Sequence, residues 1–119
     1  MNLPLEKFAA LAEAAARSAA DVTRQAASDP VRVEEKEGGD SRASQIVTEV
    51  DIKCQTAILE VLEPSFQKYD LGLLTEELED DGSRLEKPAF WCVDPLDGTL
   101  PFTERRPGYA VSIALVARD

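Results

Sequence analysis

Two acidic segments hold residue types and spacings that could do chemistry: Thr75-Glu76-Glu77 and Asp94-Pro95-Leu96-Asp97-Gly98-Thr99. Each follows a short apolar run, Leu71-Gly72-Leu73-Leu74 and Ala89-Phe90-Trp91-Cys92-Val93. Buried strands that stop at carboxylates gather those carboxylates at one edge of a sheet, where layered α/β folds place their ligands. Pro95-Leu96 predicts a tight bend that turns Asp94 and Asp97 the same way. Gly98 permits close backbone approach, and Thr99 adds a hydroxyl. If the chain turns helical there, the free N–H groups of Gly98 and Thr99 form a small anion pocket. Carboxylates crowded together call for a divalent cation, and oxygen donors without nearby nitrogen or thiolate suit Mg²⁺ or Mn²⁺. Such ions beside an anion pocket suit hydrolysis of a phosphate ester.

The rest of the composition narrows the chemistry further. The 119 residues contain no histidine, which removes imidazole bases, Ser-His-Asp and Cys-His systems and HExxH zinc sites. A net charge of −10 opposes nucleic acid polymers and anionic membrane surfaces as partners. No apolar run approaches the roughly 18 residues of a membrane span, and Met1 to Lys7 has no signal-peptide pattern. Cys54 and Cys92 form no CxxC pair, sit on apolar elements and read as reduced core residues of a cytoplasmic protein.

The elements that position these acids follow from periodicity. Leu5, Phe8, Ala9, Ala12, Ala15, Ala16 and Ala19 predict an alanine-rich helix from Leu5 to about Ala27, stopped by Asp29-Pro30. Val31 and Val33 give a short strand signal, and residues 35–41 read as a mobile polar loop. Thr48-Glu49-Val50-Asp51 has the form of a capping box opening a second helix. Cys54, Ala57, Ile58, Val61 and Leu62 line that helix, and Pro64 is expected to close it. Leu78 to Pro88 reads as a solvated acidic loop, and Tyr109 to Ala117 as a strand apolar on both faces. The predicted class is α+β or layered α/β, with two helices packed on a largely antiparallel sheet.

Thr75-Glu76-Glu77, followed by Trp91-Cys92-Val93-Asp94-Pro95-Leu96-Asp97-Gly98-Thr99 and Phe102, resembles the inositol monophosphatase superfamily. Val47-Thr48-Glu49-Val50-Asp51 matches a further element of that pattern upstream. The resemblance implies a lithium-sensitive, metal-dependent phosphomonoesterase acting on an inositol phosphate, a 3′(2′),5′-bisphosphate nucleotide or a similar small metabolite. It implies two or three Mg²⁺ ions held by Glu76, Asp94, Asp97 and the Leu96 carbonyl. Asp97 and the backbone N–H groups of Gly98 and Thr99 would bind the substrate phosphate. Thr99, with Glu76 and Asp51, would orient the attacking water. The loop around Lys36 corresponds to a loop that helps hold a further metal in relatives.

Plainer assignments stand beside these. Asp51 can be an N3 capping residue, Glu77 a solvated neighbour of Glu76, and Asp94 and Asp97 turn residues. The resemblance covers the chain as the N-terminal part of such a domain (residues 1–119), since relatives continue into a segment whose aspartate completes the second metal site. The rival function is a non-catalytic metal- or phosphate-binding fragment that assembles with another chain. The two-faced strand at residues 109–117 predicts a homo-oligomer, a dimer in the simplest case.

Overall fold

A computed structural model describes residues 3–27, 40–98 and 108–118. Among them α1 (Leu5–Ala27) and α2 (Asp40–Tyr69) pack on a sheet of β1 (Leu71–Thr75), β2 (Ala89–Asp97) and β3 (Ala110–Ala117), with a short α3 (Ser83–Glu86) between β1 and β2. The two long helices over one small sheet match the layered α+β expectation. The sheet is mixed: β2 lies in the middle, parallel to β1 and antiparallel to β3. The strand signal at Val31 and Val33 and residues 35–39 of the loop expected over 35–41 lie outside the described residues, while Asp40 and Ser41 belong to α2 instead.

The long helices meet through small side chains. Phe8, Ala15 and Ala19 of α1 are buried, as are Val50, Cys54, Ile58 and Leu62 at every fourth position of α2. Alanine brings the backbones close enough for the Cys54 thiol to donate to the Ala19 carbonyl at 3.7 Å. Phe8 then meets Tyr69 and Trp91 edge-on, with ring centroids 4.8 and 5.8 Å away, a favoured aromatic geometry. Trp91 anchors the central strand, and its indole N–H donates to the buried Ser65 hydroxyl at 3.0 Å.

Two expected boundaries of α2 are corrected. The helix is already running at Asp40, so Thr48 does not cap it. No glycine or proline lies between Asp40 and Thr48 to interrupt it. At the other end Pro64 lies inside the helix, which continues to Tyr69. Pro64 is exposed, and the residues beyond it are held by tertiary contacts of Ser65 and Tyr69 that outweigh the lost backbone bond. The stop comes at Asp70, whose φ of 57° is the left-handed conformation that ends helices; its carboxylate accepts from the Lys87 ammonium at 2.7 Å.

The polar connector between β1 and β2 is more structured than a solvated loop. Asp80 and Asp81 accept backbone N–H bonds from Gly82 and Ser83, and the Leu73 N–H donates to the Ser83 hydroxyl. The two strands therefore keep a fixed register across the acidic turn.

Candidate active site

The parallel register places Thr75 beside Val93, and the Glu76 N–H continues it by donating to the Val93 carbonyl at 3.3 Å. The residues that follow, Glu76 and Asp94, are therefore neighbours. Their carboxyl groups are close enough for a side-chain hydrogen bond to raise the Glu76 pKa. That bond is the main reason the Glu76 pKa lies above its ordinary value. Glu76 is exposed, and the Asp94 charge, slight desolvation and the charges of Glu77 and Asp97 act in the same direction.

Asp51 reaches the same cluster from α2. Its side chain is buried, its residue only 9% exposed, and Oδ1 has no hydrogen-bond partner among the described residues. Burial raises its pKa from 3.8 to about 7, with the charges of Glu77, Glu76 and Asp94 adding to the effect. The capping assignment fails here, because Asp51 lies deep inside α2 and a capping carboxylate would accept a backbone N–H.

The Asp94–Asp97 segment does not end β2 as its proline suggested. The strand runs on to Asp97 through an irregularity in its pairing with β3, from Asp94 opposite Ser112 to Asp97 opposite Ala110. Proline is tolerated at such a bulge, where one ladder bond is already absent. Pro95 and Leu96 are buried, Asp94 is half-buried and Asp97 exposed. The Leu96 N–H donates to Asp94 Oδ1 at 3.3 Å, which ties the first aspartate to the bulge.

Gly98 has φ 90°, so it is not part of a right-handed helix, and a Cβ there would collide with the Gly108 carbonyl. Its close approach is thus to the chain's own backbone. Thr99, Phe102 and Lys36 lie outside the described residues.

Glu76, Asp94, Asp97 and Asp51 thus come from three elements to one end of the sheet. Reasoning from the sequence set Glu77 aside as solvated, yet it is half-buried and its charge acts on Asp51 more strongly than any other. The signal available was its place, with Glu76, in the turn directly after a buried strand. Gln55, one turn along α2 from Asp51, was also missed; it is buried against Thr75.

The donor set fits a hard cation. A buried carboxylate oxygen without a partner among the described residues, and two acidic side chains held close together, are both relieved by a divalent ion. Among the described residues no three acidic groups already stand at ligand spacing, so an ion would draw them together. Thiolate chemistry is disfavoured at Cys54, where burial and the Asp51 charge push the pKa up to about 11. A cleft of about 230 Å³ lies elsewhere, lined by Lys7, Leu11, Pro64, Ser65, Lys68 and Tyr69, and includes none of the clustered acids.

Comparison with known proteins gives the same direction. The model of the inositol monophosphatase family matches residues 4–119. The chloroplastic phosphatase IMPL1 of Arabidopsis thaliana is 35% identical over 109 residues, 89% of this chain and 26% of its own length. An inositol-1-monophosphatase of Synechocystis sp. is 37% identical over 78 residues, 66% of this chain and 26% of its own. Among solved structures, CysQ of Bacteroides thetaiotaomicron, a bacterial member of the same family, superposes with a TM-score of 0.76 at 30% identity. That match covers 98% of this chain and 40% of CysQ, so the chain spans well under half the length of these relatives.

Proposed function

The chain belongs to the inositol monophosphatase family, a family of phosphatases, and from that premise we propose that its acidic cluster is the metal-holding part of a Mg²⁺-dependent phosphomonoesterase site. The observation that carries this reading is Asp51: a buried carboxylate oxygen without a partner, facing Glu76, Glu77 and Asp94. Water or another hydrogen-bond donor would satisfy one such oxygen, but a cluster on which, among the described residues, like charges act is best satisfied by a cation.

In this reading Glu76, Asp94, Asp97 and the Leu96 carbonyl hold the ions, with Mn²⁺ as a substitute for Mg²⁺. When bound, the ions supply Lewis-acid polarisation of the phosphate and lower the pKa of water. Gly98 and Thr99 offer backbone N–H groups to the phosphate oxygens, and Asp97 bounds the substrate on its exposed side. Glu76 and Asp51, with the Thr99 hydroxyl, orient the attacking water and accept its proton. The substrate is a small phosphorylated metabolite such as an inositol phosphate or a 3′(2′),5′-bisphosphate nucleotide. Inhibition by Li⁺, a cytoplasmic setting and a homodimer belong to the same proposal.

The test is phosphate release from an inositol monophosphate and from a 3′,5′-bisphosphate nucleotide, with Mg²⁺ and with EDTA, alongside Asp94→Asn. Release that requires Mg²⁺ and is lost in the variant supports the reading, whereas release that persists in EDTA overturns it. The chain's coverage of only 26–40% of these relatives favours one other reading: a part that binds Mg²⁺ without turnover. Calorimetric Mg²⁺ binding with no phosphate release would select it.

A further inference from the structure

The Thr75 hydroxyl donates to Gln55 Oε1 at 2.8 Å, and both residues are 5% exposed. A buried side-chain pair of this kind joins α2, which carries Asp51, to β1, which leads into Glu76. Gln55 lies four residues beyond Asp51, so the two share one face of α2 a turn apart. Thr75 ends β1 and directly precedes Glu76. From this geometry we infer that Gln55 and Thr75 are positioning residues, which set the separation of Asp51 and Glu76 in the ion-free chain and so the chain's affinity for Mg²⁺. The inference rests on the metal-site reading above.

Several features separate this pair from an ordinary core hydrogen bond. Cys54 and Ile58 of α2, Leu71 of β1 and Val93 opposite Thr75 on β2 are apolar and buried, and would pack without it. The backbone ladder alone fixes β1 against β2: Thr75 sits opposite Val93, and the Glu76 N–H reaches the Val93 carbonyl. That ladder orders Glu76 against Asp94 but says nothing of α2, which crosses no strand by backbone bonds. Hydrophobic contact is non-directional, and the other buried side-chain bond between α2 and the sheet, from the Trp91 indole to Ser65, lies fourteen residues beyond Asp51, so it leaves the Asp51 end of α2 free to shift over the apolar layer. The hydroxyl–amide bond is directional, and at this depth neither partner can exchange it for water. It therefore converts a tolerant packing contact into a fixed one, one turn from Asp51 and one residue from Glu76. Groups that hold metal ligands in place commonly govern affinity by about 10–100-fold.

The experiment compares the wild-type chain with Thr75→Val, Thr75→Ser and the double variant Gln55→Leu/Thr75→Val. Mg²⁺ affinity is read by titration calorimetry, and stability by thermal unfolding in EDTA. Thr75→Val keeps the side-chain shape but leaves Gln55 unsatisfied, so it should weaken Mg²⁺ binding about 10-fold or more. Thr75→Ser retains the hydroxyl and should bind as the wild type does. The double variant is apolar on both sides and should recover stability lost in Thr75→Val while its Mg²⁺ affinity stays low. If affinity returns together with stability, the pair is only structural and the inference is wrong. Equal Mg²⁺ affinity in wild type and Thr75→Val, or in wild type and a folded double variant should Thr75→Val not fold, overturns it also. A wild-type chain that binds no Mg²⁺ removes the metal site itself, and the inference with it.

Discussion

At the scale of single residues, the cluster stores electrostatic tension that protons or cations can release. Asp51 holds its proton up to about pH 7 in the folded chain and loses it near 3.8 when unfolded. Between those values the folded state binds more protons than the unfolded one, so its stability falls as pH rises. Glu76, also raised, adds a slope of the same sign. The lowered pKa values of Asp80 and Asp81 act oppositely, and only below about 3.8. In EDTA the urea midpoint should therefore decline from pH 4.5 to pH 7.5, and Asp51→Asn should flatten that decline; a midpoint rising across the same range would contradict the assigned shift. Asp94→Asn removes one repelling charge and, in the proposed site, one cation ligand together. Millimolar Mg²⁺ at about 100 times Kd should stabilise the wild type by roughly 2.7 kcal/mol. In thermal unfolding Asp94→Asn should lose that gain, yet be no less stable than wild type in EDTA.

At the scale of elements, the site depends on how β1, β2 and α2 are locked. Gly72 of β1 lies under α3, and a Cβ there would sit 2.7 Å from the Ser83 carbonyl oxygen. Gly72→Ala should cost about 1–3 kcal/mol as an overpacked contact, because Ser83 is bonded to Leu73 and cannot simply retreat. Gly98→Ala should cost more, since it combines a clash against Gly108 backbone with φ 90°. Denaturant midpoints of the two variants check the order. Gly98→Ala should also weaken Mg²⁺ binding, because relief of the clash must move the neighbouring Asp97; an unchanged affinity would detach Asp97 from the ion. The helices show a related lesson. Pro64 reads locally as a terminator, but contacts of Ser65, Tyr69 and Phe8 decide the matter across the interface.

At the scale of the whole molecule, the described sheet is covered unevenly. Val111, Ile113 and Leu115 of β3 are half-buried against the core, while Ala110, Ser112, Ala114 and Val116 are exposed. The strand read from its sequence as apolar on both faces thus has one covered face and one bare face among the described residues. β3 is also an edge strand there, paired only with β2. Edge strands of this composition pair with other chains unless a charge prevents it. The isolated 119 residues should therefore sediment as a dimer or larger, and Ser112→Lys should shift them toward monomer. A monomer at every concentration would show that the bare face is tolerated. No helix among the described residues is long and apolar enough to cross a membrane.

Much of the candidate site was legible before any fold was known. Glu76, Asp94, Asp97 and Gly98 stood out because oxygen donors and a glycine followed apolar runs, and local patterning alone reveals such strands and their ends. The first long helix and the middle of the second were equally plain, since three- and four-residue periodicity survives in any packing, but neither end of α2 was. What the sequence could not decide was which carboxylates face one another. Asp51 read equally well as a cap, because capping depends on where a helix begins, and α2 begins eight residues before Thr48. Glu77 read as solvated, and only the turn beyond β1 brings its charge to Asp51. The parallel pairing of β1 and β2, the bulge that carries β2 past Pro95, and the Gln55–Thr75 bond all join residues far apart in the chain. Charge repulsion, burial and hydrogen-bond geometry depend on distances in space, and those exist only once the helices are seated on the sheet.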